Sequence, residues 1–205
     1  LLRGDAGGDV LTGDAGADTL EGGTGSDTLI GGAQNDQLAG GRDGDRLLAG
    51  TGRDTLDGGH GNDLLRGGDD NDQLAGGLGQ DRLEGEAGRD TMQGGDGDDT
   101  LIGGDQDDLL EGGNGDDRLI GGSGADAFVF ALGEGGDTVT DFDIVIDALR
   151  LNSNLVGGQT TGQGVLDTFG QVVDGTVVLD FGNGNTITLE GLGSLSGLAD
   201  NIDIF

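Results

Sequence analysis

Gly94-Gly95-Asp96-Gly97-Asp98-Asp99-Thr100-Leu101-Ile102 is followed, eighteen residues on, by Gly112-Gly113-Asn114-Gly115-Asp116-Asp117-Arg118-Leu119-Ile120. The two nonapeptides agree at three glycines, at two successive aspartates and at a closing apolar pair. The same frame extends outward in both directions. Large apolar residues recur every ninth position: Leu11, Leu20, Leu29, Leu38, Leu47, Leu56, Leu65, Leu74, Leu83, Met92, Leu101, Leu110, Leu119 and Phe128. Two places before each stands an aspartate: Asp9, Asp18, Asp27, Asp36, Asp45, Asp54, Asp63, Asp72, Asp81, Asp90, Asp99, Asp108, Asp117 and Asp126. The first repeat position is Gly except at Ala49. The second departs from Gly at Asp5, Asp14 and Glu86, and the fourth at Gln34, Asp43, Asp70 and Gln106. The consensus is Gly-Gly-x-Gly-x-Asp-x-U-x, with U large and apolar. A fixed short period of this kind marks a solenoid.

The residue types say what each part of the repeat can do. Glycines at this density do not form a helix, but they suit tight turns that need positive φ and close backbone approach. Such turns expose backbone carbonyls, and each ends in one carboxylate. Carbonyl and carboxylate oxygens together suit a hard cation with six to eight oxygen ligands, which is Ca²⁺; Mg²⁺ keeps its waters and demands an octahedron. The closing x-U-x reads as a minimal strand with U on one face and its neighbours on the other.

The repeat resembles that of the RTX (repeat-in-toxin, hemolysin-type calcium-binding) family, over roughly residues 4 to 130. The resemblance implies an all-β, right-handed parallel β-roll with 18 residues per coil, two repeats to a coil. It also implies a narrow core of U side chains and two edge columns of aspartates, one from odd and one from even repeats. In that family each ion sits between turns one coil apart, held by their aspartates and turn carbonyls. Carried onto this chain, the ligands would be the fourteen aspartates named above. The carbonyls would come from such residues as Gly23, Gly25, Gly41, Gly50, Gly52, Gly59, Gly61, Gly77, Gly79, Gly95, Gly97, Gly113 and Gly115. Seven turns per column leave six gaps, so up to about a dozen ions are expected. The departures at the second and fourth positions put the geometry of their own sites in question.

Composition agrees and excludes other chemistry. Forty acidic residues against nine basic ones give a net charge of −31, which repels nucleic acid and anionic membrane surfaces and attracts cations. High charge, 50 glycines and few aromatics are also the composition of a disordered chain. One large apolar residue per nine is a thin return for ordering nine backbone units. The repeats are therefore expected to be disordered without Ca²⁺ and to fold on binding it. With no Cys there are no disulfides or thiolate metal sites, and no apolar run is long enough to span a bilayer. The single His60 occupies the variable third position of a repeat and reads as a surface residue. Neither His-Glu-x-x-His nor Gly-x-Ser-x-Gly is present, and no enzyme is expected. A threonine column of the ice-binding kind is broken, since Thr19, Thr28, Thr55, Thr91 and Thr100 are interrupted by Gln, Arg and Leu.

The repeat stops after Phe128, and all six phenylalanines lie from there onward. Residues 1–128 are expected to form the roll and residues 129–205 a β-rich cap over its end, since repeat arrays need caps. Asn183-Gly184 signals a hairpin between Thr176–Phe181 and Thr186–Leu189; a helical turn is expected within Ser194–Asp200 and a last strand at Ile202–Phe205. Asp137, Asp141 and Asp143 read as solvated surface acids, the alternative being that they hold one further ion. Asp126–Phe142 resembles the segment after the repeats in serralysin-like proteases, and Asp203-Ile204-Phe205 resembles the C-terminal signal of type I secretion substrates. Leu1 falls in mid-repeat, so a longer chain is expected. The resemblance implies a monomeric, extracellular or cell-surface module. It would be passed by a type I exporter, fold on Ca²⁺ outside the cell and stabilise an attached passenger. The alternative is a polysaccharide-binding, adhesive or surface-layer repeat that uses Ca²⁺ only structurally.

Overall fold

The computed structural model describes residues 1–205. Odd-numbered strands stack into one sheet: β1 (Leu2–Ala6), β3 (Thr19–Thr24), β5 (Gln37–Arg42), β7 (Thr55–His60), β9 (Gln73–Leu78), β11 (Thr91–Asp96), β13 (Leu109–Asn114), β15 (Ala127–Phe130), β17 (Ala148–Leu151) and finally β21 (Ile202–Ile204). Even-numbered strands stack into the second: β2 (Val10–Ala15), β4 (Thr28–Ala33), β6 (Arg46–Thr51), β8 (Leu64–Asp69), β10 (Arg82–Ala87), β12 (Thr100–Asp105), β14 (Arg118–Ser123) and β16 (Gly136–Val139). This sheet continues into β20 (Asn185–Leu189), β19 (Thr176–Gly182) and β18 (Gly170–Val173). Every pair within the repeats is parallel and in register at 18 residues, for example Leu38↔Leu56 and Leu47↔Leu65. The result is a parallel β-roll of about eight coils, 18 residues per turn.

The strands are longer than the x-U-x segment implies. Each runs from the seventh position of one repeat to the third of the next, as in Thr55–His60, so the Gly-Gly pair belongs to the strand. The reason is that identical coils stack in register, giving the glycine main chain partners above and below, as at Gly41↔Gly59 and Gly59↔Gly77. Only three residues per repeat remain for the corner, and these also pair from coil to coil: Gly61 N–H donates to Leu78 O at 2.8 Å.

The U residues from Leu20 to Phe128 are all buried and form one core between the sheets, in a file from each sheet. Both sheets run on past Phe128. Phe130, Val139, Leu149 and Leu151 continue these files, and Phe142 packs against Phe128 with ring centroids 6.0 Å apart. The hairpin is present: β19 and β20 are antiparallel, with positive φ at Asn183 (55°) and Gly184 (89°). Val177, Leu179, Ile187 and Leu189 are buried, whereas Phe181 is half-buried and meets Phe169 at a tilt of 46°, ring centroids 4.9 Å apart. A 3-10 turn spans Leu198–Asn201. The sequence reading missed helix α1 (Gly162–Phe169), whose two glycines argue against it. Thr161 caps it by accepting from Gly164 N–H, and Val165 and Leu166 anchor it in the core.

Candidate metal centre

The aspartate before each U closes the corner, and the strand that follows fixes its direction. Its backbone N–H donates to Oδ1 of the aspartate one coil further on: Asp45 to Asp63 at 2.7 Å, Asp63 to Asp81 at 2.8 Å, Asp54 to Asp72 at 2.8 Å. The same bond joins every pair of successive aspartates in both columns, from Asp9–Asp27 and Asp18–Asp36 to Asp99–Asp117 and Asp108–Asp126. From Asp27 to Asp126 these residues are at most 4% exposed. The carboxylates predicted from spacing therefore stand in two continuous buried ladders.

The other oxygen is the informative one. Oδ2 is buried and without a hydrogen-bond partner in Asp9, Asp27, Asp36, Asp45, Asp54, Asp63, Asp72, Asp81, Asp90, Asp99, Asp108 and Asp117. Buried charged oxygens are costly unless paired, so a repeated orphan calls for a bound cation or a proton. Its surroundings fit a cation. A methyl group built on Gly58 would lie 2.5 Å from Asp63 Oδ2 and 2.6 Å from the Gly76 carbonyl oxygen of the next coil. The first glycine thus keeps open a hollow bounded by a carboxylate and a backbone carbonyl. No three acidic or histidine side chains converge anywhere, so backbone oxygens would have to complete any ion's shell, which is the oxygen-rich donor set Ca²⁺ accepts.

The glycines named as carbonyl donors lie at the second and fourth positions, with φ between 99° and 139°. A methyl on Gly52 would stand 2.6 Å from Gln34 O, and one on Gly25 would stand 2.5 Å from Gly7 O. The carbonyl at a given position therefore faces the glycine of the same position one coil on, across the gap between coils. The non-glycine residues at these positions, Asp5, Asp14, Gln34, Asp43, Asp70, Glu86 and Gln106, hold φ of 67° to 80° and keep the corner's shape.

Burial raises the carboxyl pKa values. Asp45, Asp63, Asp117 and Asp126 rise to about 6, and Asp72, Asp99 and Asp108 to about 7. Desolvation is the main cause; the backbone hydrogen bond from the preceding coil opposes it, and neighbouring carboxylates add to it. Without metal, protons are the alternative occupants of these oxygens.

Asp137 corrects the sequence reading, and Asp147 is a residue that reading did not single out. Asp137 is not a solvated surface acid but 3% exposed, and its Oδ1 accepts from Asp117 N–H at 3.1 Å. Burial, followed by Asp117, Glu134 and Asp116 nearby, pushes it up to about 8. Asp147, 4% exposed, accepts from Asp126 N–H at 3.0 Å. Each therefore adds one member to a column, at steps of 20 and 21 residues instead of 18. The signal that survives the broken period is Asp-x-U, in Asp137-Thr138-Val139 and Asp147-Ala148-Leu149. Exposed Asp141 accepts from Gly121 and Gly122 N–H at 3.0 and 2.9 Å, tying the post-repeat loop to the last coil.

Among solved structures, the extracellular lipase LipA from Serratia marcescens is similar at 20% identity and a TM-score of 0.44, over 91% of this chain and 41% of that one. The chain thus spans less than half of that lipase's length. No curated protein matches. The family model for the RTX calcium-binding nonapeptide repeat, written for four copies, matches residues 3–38, 39–74, 66–101, 75–110, 93–128 and 102–139. These matches cover both aspartate ladders through Asp137, and this chain belongs to the RTX calcium-binding nonapeptide-repeat family.

Proposed function

We propose that Ca²⁺ ions occupy the gaps between successive corners of both columns and are structural components of the roll. The observation that carries this is the run of twelve buried Oδ2 atoms without partners, ten of them bounding a hollow shared with a carbonyl of the next coil. Each gap would be lined by the aspartates of two corners and by carbonyls of their Gly-Gly-x-Gly segments. With Asp137 and Asp147 the columns hold eight acids each, which leaves seven gaps per column, one more than the strict repeat implies. Once bound, the ion supplies positive charge in place of the protons that burial favours. The chain's own residues orient the oxygens and exclude water.

The biological reading follows from that dependence. Where Ca²⁺ is scarce, as inside a cell, self-repulsion of a −31 chain keeps it unfolded and threadable. Where Ca²⁺ is millimolar, the modest affinities of extracellular modules suffice. We read the molecule as a non-catalytic module that folds outside the cell, supports type I secretion and stabilises an attached passenger; residues 129–205 then serve as its cap. The absence of Pro removes slow peptide isomerisation from folding. A passenger fused to residues 1–205 and supplied with a type I exporter tests this. Export should proceed, and folding of the passenger should require external Ca²⁺; equal folding in chelator would contradict the role.

A further inference from the structure

The thirteen glycines at the first repeat position serve a different purpose from those at the second and fourth. Their φ angles lie outside the left-handed region, so an L-residue fits the backbone there and only space is at stake. That space is alike in every repeat. A methyl built on any of these glycines would lie 2.2–2.9 Å from Oδ2 of the aspartate in the same repeat. On eleven of them it would also lie 2.4–3.0 Å from the carbonyl oxygen of the first residue one coil on. A methyl carbon in ordinary contact stands 3.4 Å or more away. The two oxygens can therefore converge as they do only because nothing projects from the first position.

Ala49 is the exception, the one first-position residue that is not glycine. It lies on β6, where alternation with Leu47 puts it on the inner face, and it is 1% exposed. By position, its methyl takes the hollow that Asp54 Oδ2 and the Gly67 carbonyl would otherwise share. The frame around it is undisturbed. Leu47 still pairs with Leu65 and Gly50 with Gly68. Asp36 N–H donates to Asp54 Oδ1 at 2.7 Å, and Asp54 N–H donates to Asp72 Oδ1 at 2.8 Å, as elsewhere in the column. The methyl thus bears on Oδ2 and on the hollow. Ca²⁺ takes its oxygens at about 2.3–2.6 Å and needs six or more of them. A methyl supplies none and holds two donors away from the positions their counterparts adopt around Gly58.

We propose that the Ala49 methyl excludes Ca²⁺ from the gap between Asp54 and Asp72, which interrupts one column of ions. The inference rests on the reading that Ca²⁺ fills the other gaps. The interrupted column then consists of two runs, Asp18 to Asp54 and Asp72 to Asp147. At the same level on the opposite edge the hollow stays open: a methyl on Gly40 would lie 2.5 Å from Asp45 Oδ2 and 2.7 Å from Gly58 O. The coils are therefore clamped by an ion on one edge and by apolar contact on the other.

Native mass spectrometry of the full chain in saturating Ca²⁺ counts bound ions as integers and tests the proposal. Ala49→Gly, which restores the residue found at this position in the other thirteen repeats, should bind one ion more than the wild type. The reciprocal change Gly58→Ala puts a methyl between Asp63 Oδ2 and the Gly76 carbonyl. It should bind one ion fewer, with circular dichroism checking that its β-sheet is retained. If Gly58→Ala does not fold, Ala49→Gly decides alone. A wild type that binds no Ca²⁺ contradicts the general reading and this one together. A wild type that binds Ca²⁺, with the same count in Ala49→Gly, overturns the exclusion alone. That result would give the gap an ion shell that bypasses the hollow, with Asp70, exposed on the facing corner, as an added ligand. A folded Gly58→Ala with the wild-type count overturns the exclusion equally.

Discussion

A glycine at the fourth repeat position does two things at once. At Gly52 it holds φ at 127°, and it lets the coil approach to where a methyl would stand 2.6 Å from Gln34 O. Gly52→Ala is expected to destabilise the Ca²⁺-loaded roll by about 1–3 kcal/mol, from strain and contact together. The reverse change is open at Gln106, whose φ of 80° strains an L-residue. Gln106→Gly is expected to stabilise by about 1 kcal/mol, read by urea denaturation in saturating Ca²⁺. The aspartates predict the pH response. Their folded pKa values lie above the unfolded value of 3.8, at about 6 for Asp63 and about 7 for Asp72, Asp99 and Asp108. A raised folded pKa means that the metal-free roll binds more protons than the unfolded chain. Its stability is then greatest below about pH 4 and is lost as pH rises through 6 to 8. Ca²⁺ binding runs the other way, because its ligands must be deprotonated. The unfolded aspartates are ionised at both pH 5.5 and pH 7.5, so protonation of the metal-free roll lowers the Ca²⁺ concentration at half-folding, followed by circular dichroism, at pH 5.5 relative to pH 7.5; a higher midpoint at pH 5.5 would contradict the raised folded pKa values.

Elements beyond the strict repeat carry the next test. Asp137 extends one column into the segment after Phe128, and Ile187, an apolar residue, takes the paired place on β20. Asp137→Asn keeps an acceptor for Asp117 N–H but removes the charge. It should lower Ca²⁺ stoichiometry in equilibrium dialysis by one ion while the β-sheet signal at saturation persists; unchanged stoichiometry would show that the column ends at Asp117. What the sequence displayed at this scale was whatever kept the nine-residue period. The U file, the aspartate ladders and the glycine corners follow from it because an 18-residue coil stacks every position on its equivalent. Asp137 and Asp147 were hidden because loops of irregular length precede them, leaving only Asp-x-U to read. Helix α1 was hidden because tertiary burial of Val165 and Leu166, not local propensity, holds it. The six-residue strands were hidden because glycine reads as turn until its main chain is seen paired with the next coil.

At the scale of the whole molecule, the roll joins a narrow apolar core, one column of U residues from each sheet, to two columns of buried acids. Neither part is expected to be stable alone: the apolar core is thin, and the acids carry orphaned oxygens in an environment that disfavours their charge. The central claim is that calcium supplies the missing term. Small-angle X-ray scattering of residues 1–205 at pH 7.5 during a Ca²⁺ titration out of excess chelator tests it most directly. An unfolded chain of this length has a radius of gyration of about 49 Å. The expected result is a value near that in chelator, falling to less than half in one cooperative step as Ca²⁺ is added. A compact particle already present in excess chelator, unchanged by Ca²⁺, would contradict it.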